Sequence, residues 1–261
     1  MSNTMAVILA AGRGSRMRDL TAEKPKCLLP LAGRSLLHWQ LTGLRAAGLE
    51  DITVVRGYHA ELLTGDFATV DNLRWESTNM VRSLLCALPT LGEANMLVAY
   101  SDIVYKAEHV AKLSQSHEDI TILYDTDWLA LWSLRFSDPL SDAETFEETD
   151  GFLRDIGRKA SSLAEIKGQY MGLLRFSSAG INRVREYVNG LAPEVADKLD
   201  MTSLLRGLLT NGTNIRALPV KGGWCECDTE ADIMCYEEAL RRGEWTHDWR
   251  LAPNNHKQES I

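Results

Sequence analysis

The residues able to do chemistry in this chain are two loop glycines, a run of arginines, a lysine held between prolines, and isolated acids at the ends of apolar runs. In "MAVILAAGRGSRM" (residues 5–17), Gly12 and Gly14 break an apolar run, with Arg13, Arg16 and Arg18 close by. Glycine permits positive φ and lets a ligand approach backbone N–H groups, and guanidinium forks match oxyanions. The pattern outlines a phosphate cradle. It is not a Walker A loop, because no Gly-Lys-Ser/Thr follows, and its glycines do not fit G-x-G-x-x-G. In "EKPKCLLPLAG" (residues 23–33), Pro25 and Pro30 keep the chain extended and present Lys26 from a stiff loop. An isolated lysine is usually a solvated surface charge; beside the glycine loop, Lys26 is expected to reach the same phosphate.

Acids stand where such a site needs them. Asp102 closes "NMLVAYSD", and ligands gather at the C-terminal ends of parallel strands. It is the first candidate metal ligand. In "WCECDTEAD", Glu226 and Asp228 are two apart, on one face of an extended segment. The competing roles are an Asx turn for Asp102 and a helix N-cap for Asp228, with Glu230 and Asp232 as first-turn acids.

With 36 acidic and 28 basic side chains the net charge is −8, which argues against a nucleic-acid binder working through a general basic surface. From Arg13 to Arg34, however, six basic residues face only Asp19 and Glu23. A small polyanion is the expected ligand. No apolar run is long enough to span a membrane and no signal peptide is recognisable, so neither membrane nor nucleic acid is an expected partner. Five cysteines, an odd number, are expected as reduced thiols of a cytoplasmic protein. Cys225-x-Cys227 with Cys235 lacks the knuckle or His pair of a zinc site, and the three are expected as ordinary strand cysteines.

Elements must hold these residues in place. "MAVILA", "DITVVRG", "NMLVAYSD" and "ITILYD" read as strands with helical stretches between them, and Leu37, Leu41 and Leu44 share one face of a helix between Arg34 and Leu49, closed by Gly48. Such alternation predicts an α/β fold with a mainly parallel sheet. The order blurs from Asp125 to Lys167, where a hairpin and lid are expected. "YMGLLRF" and "NIRALPV" read as further strands, and helices are expected around 178–190 and 200–210. Residues 1–250 are expected as one domain, and 251–261, with little to bury, as a disordered tail.

The pair L-A-A-G-x-G-x-R (Leu9 to Arg16) and K-P-K (Lys24 to Lys26) resembles the signature of nucleotidylyltransferases that activate sugar phosphates, choline phosphate and related small acceptors, over a stretch from Met5 to about Glu238. The resemblance implies a Rossmann-like, GT-A-like sheet with a small acceptor-binding lobe at about 125–176. It implies that Leu9, Ala10, Ala11, Gly12, Arg13, Gly14 and Ser15 bind the nucleotide, and that Arg16 and Lys26 are catalytic, Lys26 near the α-phosphate. It also implies a second metal ligand in the late W-x-E-x-D-type segment, which Asp228 matches best, with Glu226 as a further candidate.

"STNMVRSLLCAL" (77–88) resembles the N-x-x-x-S segment of the cytidylyltransferase branch, which would set Asn79 and Ser83, one helical turn apart, against a pyrimidine edge, with Arg82 able to face phosphate. A helix N-cap at Ser77 or Thr78 is the plainer reading and is compatible with it. "VVRGYHAEL" resembles the same branch's V-x-G-Y segment, which places backbone near Gly57 beside the base. Residues 125–176 resemble a subgroup acting on small phosphates and phosphonates, phosphoglutamine cytidylyltransferases among them. That likeness implies Arg135, Lys159, Glu165 and Tyr170 as acceptor-facing groups. Trp128 and Trp132, four apart, are either an aromatic wall for a cationic head or core.

An acceptor phosphate is largely ionised near neutral pH, its second pKa being about 6. It can attack phosphorus without a general base. The obstacle is repulsion between anions, so catalysis rests on positioning, Mg²⁺ and cationic side chains. The expected activity is Mg²⁺-dependent transfer of CMP from CTP to a small phosphate or phosphonate acceptor, with pyrophosphate leaving. The alternatives are a sugar-1-phosphate nucleotidylyltransferase using UTP or dTTP, or a nucleotide-binding relative without turnover, against which Lys26, Asp102 and Asp228 speak. A homodimer is compatible with the sequence.

Overall fold

The computed structural model describes residues 4–250 apart from 91, 93 and 244. The segment 251–261, expected as a disordered tail, lies outside the described residues. In chain order the strands are β1 (Thr4–Ala10), β2 (Pro30–Leu31), β3 (Arg34–Ser35), β4 (Ile52–Arg56), β5 (Ala68–Asp71), β6 (Asn95–Tyr100), β7 (Ile103–Tyr105), β8 (Ile120–Asp125), β9 (Glu144–Thr149), β10 (Phe152–Lys159), β11 (Gln169–Phe176), β12 (Arg216–Val220) and β13 (Trp224–Glu226). The helices are α1 (Leu36–Ala46), α2 (Met80–Ala87), α3 (Ala107–Ser114), α4 (Trp128–Arg135), α5 (Ser178–Asn189), α6 (Pro193–Lys198), α7 (Met201–Thr210) and α8 (Glu230–Arg242).

Nine strands form one sheet in the order β5-β4-β1-β6-β11-β8-β12-β10-β9. The four strands from β5 to β6 are parallel, β8 and β12 are parallel to each other, and β11 and β10 run against the rest. The sheet is therefore mainly parallel in strand direction, with mixed pairing in its second half.

Alternation along β1 shows why the sheet is covered on both faces. Ala6, Ile8 and Ala10 enter one core with residues of α1, α3 and α4, while Met5, Val7 and Leu9 enter the other with α2, α5 and α7. The irregular stretch after β8 supplies α4 and the β9–β10 hairpin, which forms the far edge of the same sheet.

A small ribbon does the decisive positioning. Its strands β7 and β13 pair antiparallel with Glu226 opposite Ile103, and the Cys227 N–H donates to the Asp102 carbonyl at 2.9 Å. Acids from two remote parts of the chain thus meet.

Candidate active site

The loop after β1 is shaped by Gly14, which lies at φ +72° and opens the 3₁₀ turn Ser15–Thr21. A Cβ there would meet the Lys26 stem at 2.8 Å, so the glycine of the first motif makes room for the lysine of the second. Pro25 is extended, with ψ 149°, and delivers Lys26 into a buried position. The far end of the loop is tied by the Tyr58 hydroxyl, which donates to the carbonyls of Thr21 and Ala22 at 2.9 and 2.6 Å.

The Lys26 ammonium donates to Asp102 Oδ2 and Asp228 Oδ1, both at 2.8 Å, and Arg16 Nη2 reaches the same Asp228 oxygen at 2.9 Å. Burial of Lys26 works against its charge, but the two carboxylates outweigh it and hold its pKa above the ordinary lysine value. Asp228 is likewise buried, yet Lys26 holds its carboxyl below the usual range. The N-cap of α8 is Thr229, which forms a capping box with Asp232, so Asp228 precedes the cap and its carboxylate is left for Lys26.

Two compartments meet at this cluster. The inner one, about 300 Å³, is lined by Leu9, Ala11, Gly12, Gly14, Ser15, Arg16, Lys26 and Asp102, and across from them by Trp75, Thr78, Asn79, Met80 and Ser83. Ala10 lies in β1 with its side chain in the core, and Arg13 is exposed with its guanidinium 5.5 Å from the Tyr58 ring. Asn79, rather than Ser77 or Thr78, is the N-cap of α2, its side chain accepting from Met80 N. Asn72, unforeseen from the sequence, donates to both Thr78 Oγ1 and Ser83 Oγ at 3.1 Å. Gly57 stands behind the compartment, where a Cβ would meet the Ala11 carbonyl and Trp75 Cβ at 2.6 Å. Arg82 is engaged by Asp197 at 2.9 Å.

The outer compartment, about 330 Å³, shares Arg16, Met80 and Tyr100 with the inner one. Its carboxylates are Asp142, Glu144, Asp200, Glu226 and Asp228, with Trp132, Gln169 and Tyr170 beside them. Of the residues expected to face an acceptor, Tyr170 lines this space. The other four are placed differently. Trp128 packs in the core because its face of α4 is apolar, leaving Trp132 to line the wall. Arg135 is shielded from solvent among Glu226, Asp228 and Asp232. Lys159, at the end of β10, and Glu165, hydrogen-bonded to Ser161 and Ser162, are exposed and line neither compartment.

Asp102 and Asp228 are hard oxygen donors that converge on the Lys26 ammonium, and donors of that kind suit a small divalent cation that also takes phosphate oxygens. Among the described residues no group of three or more His, Cys, Asp or Glu forms a protein-only metal cage. Glu226 faces Arg135 instead, and its carboxyl is raised above the usual range by burial, with Asp228 and Asp102 adding to the shift. Cys225 and Cys227 are buried and free, as is the half-buried Cys235 of α8.

Residues 6–159 match the model of the MobA-like NTP transferase domain, more than half of the chain. The chain belongs to this family. It is a nucleotidyltransferase, and it is 34% identical over 245 residues to the CTP:phosphoglutamine cytidylyltransferase of Campylobacter jejuni, covering 87% of this chain and 97% of that one. The inositol-1-phosphate CTP transferase of T. maritima shares the fold at a TM-score of 0.71 and 15% identity, over 91% of this chain and 97% of that one. The CTP:phosphocholine cytidylyltransferase of Streptococcus pneumoniae does so at 0.68 and 19%, over 91% and 99%. This NTP transferase also has no described helix long and apolar enough to cross a membrane.

Proposed function

We propose that this nucleotidyltransferase moves CMP from CTP to a small acceptor bearing a terminal phosphate or phosphonate, releasing pyrophosphate. The observation that carries the reading is the meeting of Lys26, Asp102 and Asp228 where the two compartments join. The named activity of the Campylobacter relative, alike over nearly its whole length, supports it.

Backbone around Gly12 and Gly14, with Arg16, holds the triphosphate in the inner compartment. Lys26 stays charged and stabilises the negative charge that develops at the α-phosphate. An acceptor oxygen attacks that phosphorus as the bond to pyrophosphate breaks. Asp102 and Asp228 are the residues that would hold Mg²⁺, which when bound neutralises phosphate charge and favours the leaving pyrophosphate.

The hydroxyl of Ser83 accepts from Asn72, so its own proton is left to donate. Cytosine N3 accepts such a bond, whereas the N3–H of uracil does not. On the acceptor side, Asp142, Glu144 and Asp200 remain once Glu226 and Asp228 are paired with Arg135, Lys26 and Arg16, and they favour a ligand carrying an ammonium group over a plain acid or a hexose phosphate.

The test measures pyrophosphate release with each of CTP, UTP, ATP and GTP in the presence of phosphoglutamine, 2-aminoethylphosphonate, hydroxyethylphosphonate, phosphocholine or glucose 1-phosphate. The expected result is preference for CTP and for an ammonium-bearing acceptor, with Ser83→Ala narrowing the gap between CTP and UTP. Equal kcat/KM for UTP, or fastest turnover with glucose 1-phosphate, would move the chain to the sugar-nucleotide branch.

A further inference from the structure

Arg135 ends α4, in the part of the chain expected to bind the acceptor, yet its fork points inward and is spent on three acids. Nη1 donates to Glu226, Nη2 lies 3.3 Å from Asp228 Oδ2, and Nε donates to Asp232 Oδ1 at 3.1 Å. The rings of Trp132 and Phe136 stand 5.1 and 4.9 Å from the guanidinium carbon. Asp232, itself buried, turns its Oδ2 to the backbone N–H groups of Asp228 and Thr229, both at 2.8 Å.

Asp228 is therefore gripped from two sides. Asp232 fixes its backbone and Arg135 its outer oxygen, while its inner oxygen takes Lys26 and Arg16. An aspartate on its own rotates about Cα–Cβ and Cβ–Cγ, and nothing decides which oxygen faces which neighbour. A planar guanidinium held in place by aromatic rings does decide it. One cation against three acids also exceeds what neutralising Arg135 requires. The excess is balanced from the nucleotide side, by Lys26 and Arg16, so the two clusters share Asp228.

We propose that Arg135 is a positioning residue for the transfer reaction: with Asp232 it sets the orientation of Asp228, so that its inner oxygen faces Lys26 and Arg16 on the nucleotide side, where a divalent cation shared with Asp102 and the nucleotide phosphates would meet it. The inference rests on the assignment of Asp102 and Asp228 as the metal-holding pair. It also ties the acceptor side to the catalytic centre, because α4 leads into the turn carrying Asp142, which lines the outer compartment.

The experiment compares wild type with Arg135→Lys and Asp232→Asn. Lysine keeps the charge but loses the fork. Asparagine keeps an oxygen for the two backbone N–H groups but loses the charge that holds Arg135. Free Mn²⁺ is read by electron paramagnetic resonance as protein is titrated into a fixed mixture of Mn²⁺ and CTP, with CTP alone as the reference for its own chelation, and pyrophosphate release with phosphoglutamine as acceptor gives kcat and the KM for CTP. Partners that orient metal ligands typically cost ~10–100-fold when removed. Both variants should weaken Mn²⁺ binding and lower kcat on that scale, while the KM for CTP stays within ~3-fold. A purely structural arginine would lower thermal stability without moving Mn²⁺ affinity in the folded protein.

Wild-type Mn²⁺ affinity and kcat in folded Arg135→Lys and Asp232→Asn would overturn the proposal; if the lysine variant does not fold, the asparagine variant decides it alone. In a wild type that binds Mn²⁺ but releases no pyrophosphate, the proposed reaction fails and the Mn²⁺ shift still decides the role of Arg135. Absence of Mn²⁺ binding by wild type beyond that of CTP alone would overturn both.

Discussion

The two compartments that meet at Arg16, beside the Lys26–Asp228 pair, are assembled in opposite ways. The inner one takes its lining from short stretches near 9–26, 75–83 and 100–102, and its cations are near neighbours in the chain. Beyond the Arg16, Met80 and Tyr100 that it shares, the outer one gathers side chains scattered between Trp132 and Asp228, and acids dominate it. A polyphosphate is held by backbone N–H groups and fixed cations, which one loop at a strand end supplies locally. A short acceptor is held by individual side chains, which only packing brings together. Damage to the shared centre should therefore cost turnover with every acceptor, whereas changes in the outer compartment should alter acceptor use and spare the nucleotide.

The largest effects are expected at the acids that close the centre. Asp102→Asn and Asp228→Asn should each abolish divalent-dependent pyrophosphate release while thermal unfolding stays cooperative, because asparagine serves a turn equally well but lacks the charge a metal needs. Ordinary activity of both at millimolar Mg²⁺ would remove the metal assignment.

Next comes Lys26→Ala, with turnover lower by at least ~100-fold, the scale of losing one preorganised charge-stabilising donor. CTP binding, followed by calorimetry, should persist through the glycine loop. Near wild-type turnover in folded protein would leave Lys26 a structural counter-ion.

A smaller change sharpens the contrast from the other side. Asp200 caps α7 and lines the outer compartment, and asparagine keeps the cap while deleting the charge. Asp200→Asn should raise the KM for an ammonium-bearing acceptor by ~10-fold, as for a lost charge-assisted hydrogen bond, and leave the KM for CTP unchanged. Equal shifts in both would break the division between compartments.

The smallest effects belong to Lys159→Ala and Glu165→Gln. Both side chains are exposed outside the two compartments, and such surface changes usually stay within ~0.5 kcal/mol. A KM for acceptor moved more than ~3-fold would bring one of them back to the ligand.

What could be read in the sequence follows the same division. Gly12, Gly14 and Lys26 were legible because a broken strand, a glycine turn and a proline-stiffened lysine are local signals, and Asp102 because a strand end is one too. Asp228 was legible by resemblance and by its period-2 spacing from Glu226. Arg135 read as acceptor-facing through the resemblance of residues 125–176 to the small-phosphate subgroup, and its burial is set by acids some ninety residues later in the chain, Glu226 and Asp228. Asp142, Glu144 and Asp200 carry no local mark at all. Each is an ordinary loop, strand or cap residue, and their convergence exists only once β9, β11 and α7 are packed.

The β7–β13 ribbon gives this enzyme an order of assembly in time. Residues up to Asp102 emerge from synthesis with the glycine loop, the lysine and one acid, but the second acid follows more than a hundred residues later, and its pairing must wait for Trp224–Glu226. Contacts so distant in sequence are slow to form, because a long loop must close before they stabilise anything. A nascent or truncated chain that stops short of β13 lacks both Asp228 and the strand that pairs with β7. The meeting of Lys26, Asp102 and Asp228 is thus among the last features this chain acquires, and an unfinished copy lacks it.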